Sequence, residues 1–520
     1  MKTIVDSAQM KAVEEVTIDK IGIPAIVLME RAALSVADIV KKHSNKQSKI
    51  LAVCGTGNNG ADGIAAARIL KLKGYTADIL LAGDEDKASA LTRQQLNIVR
   101  NLGISIYNNI VISEYTIIID AMFGIGLSRN ISGIYKDIIE EINTGEHLVF
   151  AVDIPSGLSA DTAKPMDISI KADYTITFGL NKIGLILYPG CEYAGTVIVA
   201  DIGLPQTAID AVTSQYFIYD TSDLEKLPKR KNYSNKGTYG KVLIIAGSVN
   251  MSGACYFSAK AAYRMGSGLV KVMTPAENRI IIQSQIPEAL IYTYDVGTID
   301  NNEIDKILKE IEWANVIVIG PGIGVSDVSR QLLELVLKKD KTPIIIDADG
   351  INLLAQKVNE LENKSDTEFN RIEAVASFLP QHTVLTPHLK ELSVLLNMTI
   401  ENITSNLLET ANYCTFKNNL LFVLKDARTI VANDDKRYIN ISGNNGMATG
   451  GTGDVLTGII AALIAQGLDT GEAAKLGVYI HGLAGDKACE TKGSYSLMAS
   501  DIIDALPLTI KHNQDGIYSL

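Results

Sequence analysis

A chain of 520 residues is too long for one hydrophobic core and calls for roughly two to four domains. Its hydrophobic and charged fractions, 47% and 21%, suit an ordinary globular protein, and a net charge of −11 excludes a general nucleic-acid binder, which needs a basic face. Five widely spaced cysteines (Cys54, Cys191, Cys255, Cys414 and Cys489) favour reduced thiols over a disulfide framework or a zinc site.

Residues 1 to about 42 read as helical, with a break at Ile23-Pro24. Asp6, Glu14, Glu15 and Asp19 lie in an amphipathic pattern that does not resemble a secretory leader. No apolar run reaches the roughly 18–20 residues that a membrane span needs. A cytoplasmic protein without membrane or nucleic-acid partners is expected.

Strands and helices then alternate. Candidate strands are Lys49–Cys54, Ala77–Ala82, Thr116–Asp120, Leu148–Asp153, Tyr174–Phe178 and Thr196–Asp201. Apolar strands between helices indicate a mostly parallel, doubly wound α/β sheet, in which ligands bind beyond the carboxyl ends of the strands. Polar residues just after each strand therefore matter most. The first such loop, Gly55-Thr56-Gly57-Asn58-Asn59-Gly60-Ala61-Asp62-Gly63, lacks the spacing of the usual dinucleotide fingerprint, so side chains share the polar contacts with backbone. Asp120 precedes Ala121-Met122-Phe123-Gly124-Ile125-Gly126-Leu127-Ser128-Arg129, and Asp153 precedes Ile154-Pro155-Ser156-Gly157. Either aspartate alone would be a turn residue. Together, Asn59, Asp120 and Ser156 offer hard oxygen ligands suited to an alkali or alkaline-earth cation, which leaves Asp153 as a free acid or base.

These three loops, in this order, resemble the NAD(P)H-hydrate epimerase family over residues 1–215; the family's usual glycine is replaced by Ala61. The resemblance implies a Rossmann-like epimerase domain in which Asn58, Asn59, Gly60, Ala61 and Asp62, with Gly124, Ile125, Gly126, Leu127, Ser128, Arg129 and Asn130, hold the hydrated nucleotide. It further implies potassium at Asn59, Asp120 and Ser156, with Asp153 binding substrate and moving the proton in epimerisation.

Residues 216–240 lose apolar periodicity, and Pro228-Lys229-Arg230-Lys231 within them read as a solvated linker rather than a binding patch. A second alternating series, expected over residues 241–515, has candidate strands Lys241–Ala246, Leu269–Thr274, Val316–Gly320, Pro343–Asp347, Thr383–Thr386 and Leu420–Lys425. Ser252-Gly253-Ala254 leads a helix. The polar loops are Gly320-Pro321-Gly322-Ile323-Gly324, Asp347-Ala348-Asp349, Thr386-Pro387-His388-Leu389-Lys390-Glu391 and Lys425-Asp426-Ala427-Arg428-Thr429. Glu391, three residues after His388 at a helix start, could simply be its capping partner.

The most informative stretch is Asn444-Asn445-Gly446-Met447-Ala448-Thr449-Gly450-Gly451-Thr452-Gly453-Asp454, followed by the apolar run Val455–Ile464. Glycines forbid regular structure in the first half, and the second half reads as a helix buried nearly all round. Such a junction offers free N–H groups and a positive dipole end to an anion. Asp454 there is either an N-terminal carboxylate favourable by roughly 0.3–1 kcal/mol or the base that deprotonates a hydroxyl for phosphoryl transfer.

The glycine loop, the Thr-Pro-His-x-x-Glu turn and the Gly-Pro-Gly-x-Gly loop resemble the ADP- or ATP-dependent NAD(P)H-hydrate dehydratase family, of ribokinase-like fold, over about residues 225–515. With both halves matched, the chain resembles the bifunctional NAD(P)H-hydrate repair enzymes. The resemblance implies that Ala254, Gly322, His388 and Asp454 contact the hydrate, and that Lys425, Asp426, Ala427, Arg428, Thr429 and Gly453 contact ADP or ATP with Mg2+. A fused chain resembles bacterial and archaeal members, which points to ADP, and a homo-oligomer is expected. Asp454 serves equally well a kinase for a vitamin-precursor alcohol, with the N-terminal half as a non-catalytic nucleotide-binding module, and that alternative stays open.

Overall fold

The structure is a computed structural model, and it describes residues 1–297, 299–364, 369–415, 420–433 and 436–511. Residues 512–515 of the expected second domain lie outside the described residues. The chain forms two compact units, one of residues 3–214 and one of residues 1–2 with residue 215 onward.

In the N-terminal unit seven parallel strands run in the order Ile106–Tyr107, Thr76–Leu81, Lys49–Cys54, Ile117–Ala121, Leu148–Val152, Tyr174–Phe178, Thr196–Ala200. Lys49–Cys54 sits between the strand that follows it and Ile117–Ala121, so the chain reverses direction of winding at that pair. The carboxyl ends of those two strands are therefore where a crevice opens. Helices Ala25–Lys42 and Asn58–Leu72 cover one face through Val36, Val40, Ile64 and Leu70, while Ile138, Ile139 and Ile142 of Ile134–Thr144 cover the other. Near-continuous Ile, Leu and Val in the strands follow from burial on both faces.

The glycines of the first loop are needed for close approach. A Cβ on Gly55 would lie 2.1 Å from the Met122 carbonyl oxygen, and one on Gly60 would lie 1.8 Å from the Gly55 carbonyl oxygen. The loop is thereby pressed onto the end of the neighbouring strand.

In the C-terminal unit the order is Leu290–Tyr294, Leu269–Pro275, Lys241–Ile245, Val316–Ile319, Ile344–Ile346, Thr383–Leu385, Leu421–Leu424, all parallel; antiparallel Ile430–Asn433 and Lys436–Ile439 then lead to Tyr216–Ile218. Helix Thr452–Ala465 is buried from Val455 to Ile464. A Cβ on its Gly458 would come 2.2 Å from the Ser258 carbonyl oxygen, so glycine lets it lie directly on helix Ser252–Arg264.

Several segments differ from the sequence expectation. Lys2–Val5 is a strand, paired in parallel with Asn181–Lys182, and the first helix begins only at Ser7, where Asp6 and Gln9 form a capping box. Tyr216–Ile218, placed in the linker, is a strand whose Phe217 joins Tyr219, Tyr438 and Tyr479 in an aromatic cluster, because three apolar residues are too few to show a period. Within that linker, residues 229–238 are exposed. Leu290–Tyr294 and the hairpin strands were not anticipated either. No described helix is long and apolar enough to cross a membrane.

Candidate active sites

In the N-terminal unit the strand ends bring Asp120 and Ser156 together. Ser156 donates its Oγ hydrogen to Asp120 Oδ1 at 2.6 Å and its N–H to Oδ2 at 2.7 Å, and accepts from the Phe123 N–H at 2.9 Å. Both residues are fully buried, and burial pushes the Asp120 carboxyl up to about 6 against the pull of the Ser156 hydrogen bonds. Asn59 lies in the first turn of helix Asn58–Leu72, with its side chain against the Gly124 backbone, and its buried Nδ2 has no hydrogen-bond partner among the described residues. Gly57, at the helix N-cap, supplies no side-chain cap. Asn58 is exposed, Gly60 and Ala61 are buried, and Asp62 is partly buried. Of the loop 124–130, Gly126, Ser128, Arg129 and Asn130 are exposed, whereas Leu127 packs on the core.

Asp153 has φ 66°, an unfavourable backbone for a non-glycine residue, held by its N–H donating to the Ile176 carbonyl at 2.7 Å. Its Oδ1 accepts from the buried Lys182 ammonium at 2.7 Å. Two further acids face this pair. Burial, then the Asp153 charge, pushes Glu14 up to about 7, and burial with Asp153 and Glu14 raises Asp62 well above the usual carboxylate range. Lys182 and Glu14 belong to no motif, and the sequence reading missed them. An isolated lysine on a two-residue strand carries no signal, and Glu14 looks like any polar residue of an amphipathic helix.

In the C-terminal unit Asp454 occupies the first turn of helix Thr452–Ala465. The N-cap, Gly451, has φ 91° and contributes no side-chain hydrogen bond, so the first-turn N–H groups keep their donor capacity. Burial, reinforced by the Asp347 charge, pushes Asp454 up to about 7, while Lys425 opposes the shift. The residue remains partly exposed. A carboxyl poised near neutrality, desolvated yet reachable, is what a general base requires.

Around it stands a fixed frame. Lys425 donates to Asp347 Oδ1 at 2.6 Å, and Thr457 Oγ1 donates to Asp347 Oδ2 at 2.8 Å. Burial draws the Lys425 ammonium down, but Asp347 and Glu391 outweigh it and hold the group above its usual range. A Cβ on Gly453 would stand 3.3 Å from Lys425 Nζ, so the loop glycine gives that ammonium room. Asp349 Oδ2 accepts from the Gly324 N–H at 2.9 Å, tying two of the polar loops together. Asp347 lay in a loop singled out by its place after a strand, but nothing in the sequence assigned it a partner.

His388 and Glu391 form a capping box: the Glu391 N–H donates to His388 Nδ1 at 3.1 Å and the His388 N–H to Glu391 Oε2 at 2.9 Å. Burial, then the Lys425 charge, lowers His388, while burial pushes Glu391 up to about 7. Ala254 and Gly322 meet, a Cβ on Gly322 falling 2.9 Å from the Ala254 Cβ. Asp426 and Ala427 are exposed on the turn between Leu421–Leu424 and Ile430–Asn433, where Thr429 Oγ1 donates to the Asp426 carbonyl at 3.1 Å; Arg428 on the same turn is half-buried. His481, unnoticed in the sequence, is pushed down to about 4 by burial, and its Nε2 is buried without a hydrogen-bond partner among the described residues.

Comparison with known proteins matches residues 25–184 to the family described as YjeF-related protein N-terminus, and residues 242–508 to the family described as NAD(P)H-hydrate dehydratase. A bifunctional NAD(P)H-hydrate repair enzyme of Thermofilum pendens is 32% identical over 99% of this chain and 97% of its own length. One from Moorella thermoacetica is 33% identical over 99% and 98%. A solved ribokinase-like superfamily protein from Enterococcus faecalis is 31% identical, covers 58% of this chain and 97% of its own, and superposes with a TM-score of 0.49. Matched in both halves and over nearly its whole length, the chain belongs to the family of bifunctional NAD(P)H-hydrate repair enzymes.

Proposed function

We propose that the two units act in series on hydrated NADH and NADPH, with Asp153 the acid–base that interconverts the R and S hydrates and Asp454 the base that starts dehydration of the S form. Hydroxide is a poor leaving group, whereas a phosphate monoester group, ionising at about 6, departs readily. The substrate hydroxyl attacks the terminal phosphorus of ADP or ATP as Asp454 takes its proton, and AMP or ADP leaves. Phosphate then departs together with a ring proton, which restores the dihydronicotinamide double bond. First-turn N–H groups of helix Thr452–Ala465 bear the charge on the transferred phosphoryl group. The observation that carries this reading is Asp454 itself, a reachable carboxyl raised to about 7 at an uncapped helix start.

Lys425 to Thr429 and Gly453 flank the nucleotide; Ala254, Gly322 and His388 flank the hydrate. In the N-terminal unit Asn58 to Asp62 and Gly124 to Asn130 embrace the substrate. Potassium fits there, since the Asp120 carboxylate is fully buried without an ion-pair partner among the described residues and a cation would balance its charge. Asn59, Asp120 and Ser156 would hold it, and it would supply a fixed positive charge. No group of three or more His, Cys, Asp or Glu among the described residues forms a metal cage, so Mg2+ would be held mainly by the nucleotide phosphates.

The test is to incubate the purified S hydrate with the full chain and ADP or ATP. Free phosphate released in step with recovered dinucleotide is expected. A stable phosphorylated product would instead identify a kinase.

A further inference from the structure

Lys182 is 1% exposed, and a buried ammonium is costly unless paired and fully hydrogen-bonded. Its three hydrogens are all used: Nζ donates to Asp153 Oδ1 at 2.7 Å, to Thr177 Oγ1 at 2.7 Å and to the Phe178 carbonyl at 3.0 Å. Thr177 Oγ1 in turn donates to Asp153 Oδ1 at 3.2 Å, and the Phe178 N–H points at the same oxygen from 3.4 Å. Three donors thus converge on Oδ1. Among the described residues no hydrogen bond reaches Oδ2, and the Asp153 side chain keeps 12% exposure.

The lysine is itself anchored. Its N–H donates to Asn181 Oδ1 at 2.9 Å, and its strand pairs in register with Val5 opposite Lys182. Among the described residues Glu14, from helix Ser7–Glu15, and Asp62, from helix Asn58–Leu72, are the acids that feel the Asp153 charge, and Lys11 in turn acts on Glu14. Stability alone is a poor reason for such a pair, because apolar replacement of a buried ion pair is often neutral or stabilising. The strained Asp153 backbone beside it marks a place where position is held at a cost.

We propose that Lys182 is the positioning residue of the epimerase site, clamping Asp153 through Oδ1 so that Oδ2 alone meets the proton of the substrate. This rests on the reading of Asp153 as the epimerising acid–base. The ammonium moves no substrate proton; it fixes the carboxylate that does.

The full-length Lys182→Ala chain should epimerise the R hydrate with kcat down about a hundredfold and KM within about threefold, the signature of a misaligned group. Consumption of the S hydrate should match the parent. Ethylammonium, small enough for the vacated space, should restore kcat at least about tenfold, where equal sodium chloride does not. Parental epimerisation by Lys182→Ala, or a loss that ethylammonium leaves untouched, would overturn the proposal. Should melting show the N-terminal unit of that variant unfolded, near-isosteric Thr177→Val decides: kcat about three- to tenfold lower at unchanged KM is expected, and parental kcat contradicts it. An Asp153→Asn chain that still epimerises would sink the underlying assignment of Asp153, whatever Lys182 does.

Discussion

A single carboxyl group illustrates how chemistry and stability pull apart at the residue scale. Asp454 must be ionised to act as a base, so its rise to about 7 predicts that dehydration of the S hydrate slows as pH falls below about 7, with an acid limb set by this one proton. An S-hydrate rate flat from about pH 5 to about pH 8 would contradict this. The stability effect has the opposite sense. Because the folded chain binds this proton more tightly than the unfolded chain, the stability it contributes is full below the unfolded value of 3.8 and is lost as pH rises through about 7. Asp454→Asn removes that loss. The Tm of the variant should therefore gain on the parent between about pH 5 and about pH 8, measured by thermal melting at both, and a constant difference would count against burial as the cause of the shift.

At the element scale the loops work because particular glycines let backbone meet backbone. A Cβ on Gly60 would strike the Gly55 carbonyl, whereas one on Gly57 meets nothing within 4 Å among the described residues. Gly60→Ala should cost the N-terminal unit about 1–3 kcal/mol and its epimerisation, while Gly57→Ala should stay within about 0.5 kcal/mol of the parent. Thermal melting with an R-hydrate assay separates the two, and equal tolerance would show that the loop is not closed on itself between Gly55 and Gly60. The strands that place these loops were legible because apolar runs between helices have few alternatives: Lys49–Cys54 and Tyr174–Phe178 fall where expected. So was the buried helix after Asp454, whose run from Val455 to Ile464 has no polar face. What stayed hidden was made by tertiary pairing. Lys2–Val5 and Tyr216–Ile218 are strands only because a partner lies beside them, and Lys182 is significant only because the fold folds it back onto Asp153. Asp347 was visible as a loop residue, but its grip on Lys425 and Thr457 joins positions far apart in the chain.

For the whole molecule, two compact units, each built on a run of parallel strands and each with its own buried carboxylates, belong to an enzyme of two activities. The order of work follows from stereochemistry: one isomer fits the dehydrating site, and the other must first be converted. A freely diffusing hydrate allows the sites to serve each other in separate chains. The decisive measurement follows dinucleotide recovery from a mixture of R and S hydrates with ADP or ATP, using Asp153→Asn, Asp454→Asn and an equal mixture of the two variants. Asp153→Asn should recover the S share quickly and then stall at the slow uncatalysed rate. Asp454→Asn should recover almost nothing, its turnover down at least about a hundredfold, while the mixed variants should recover both isomers. Ready recovery of dinucleotide by Asp454→Asn alone would contradict the account.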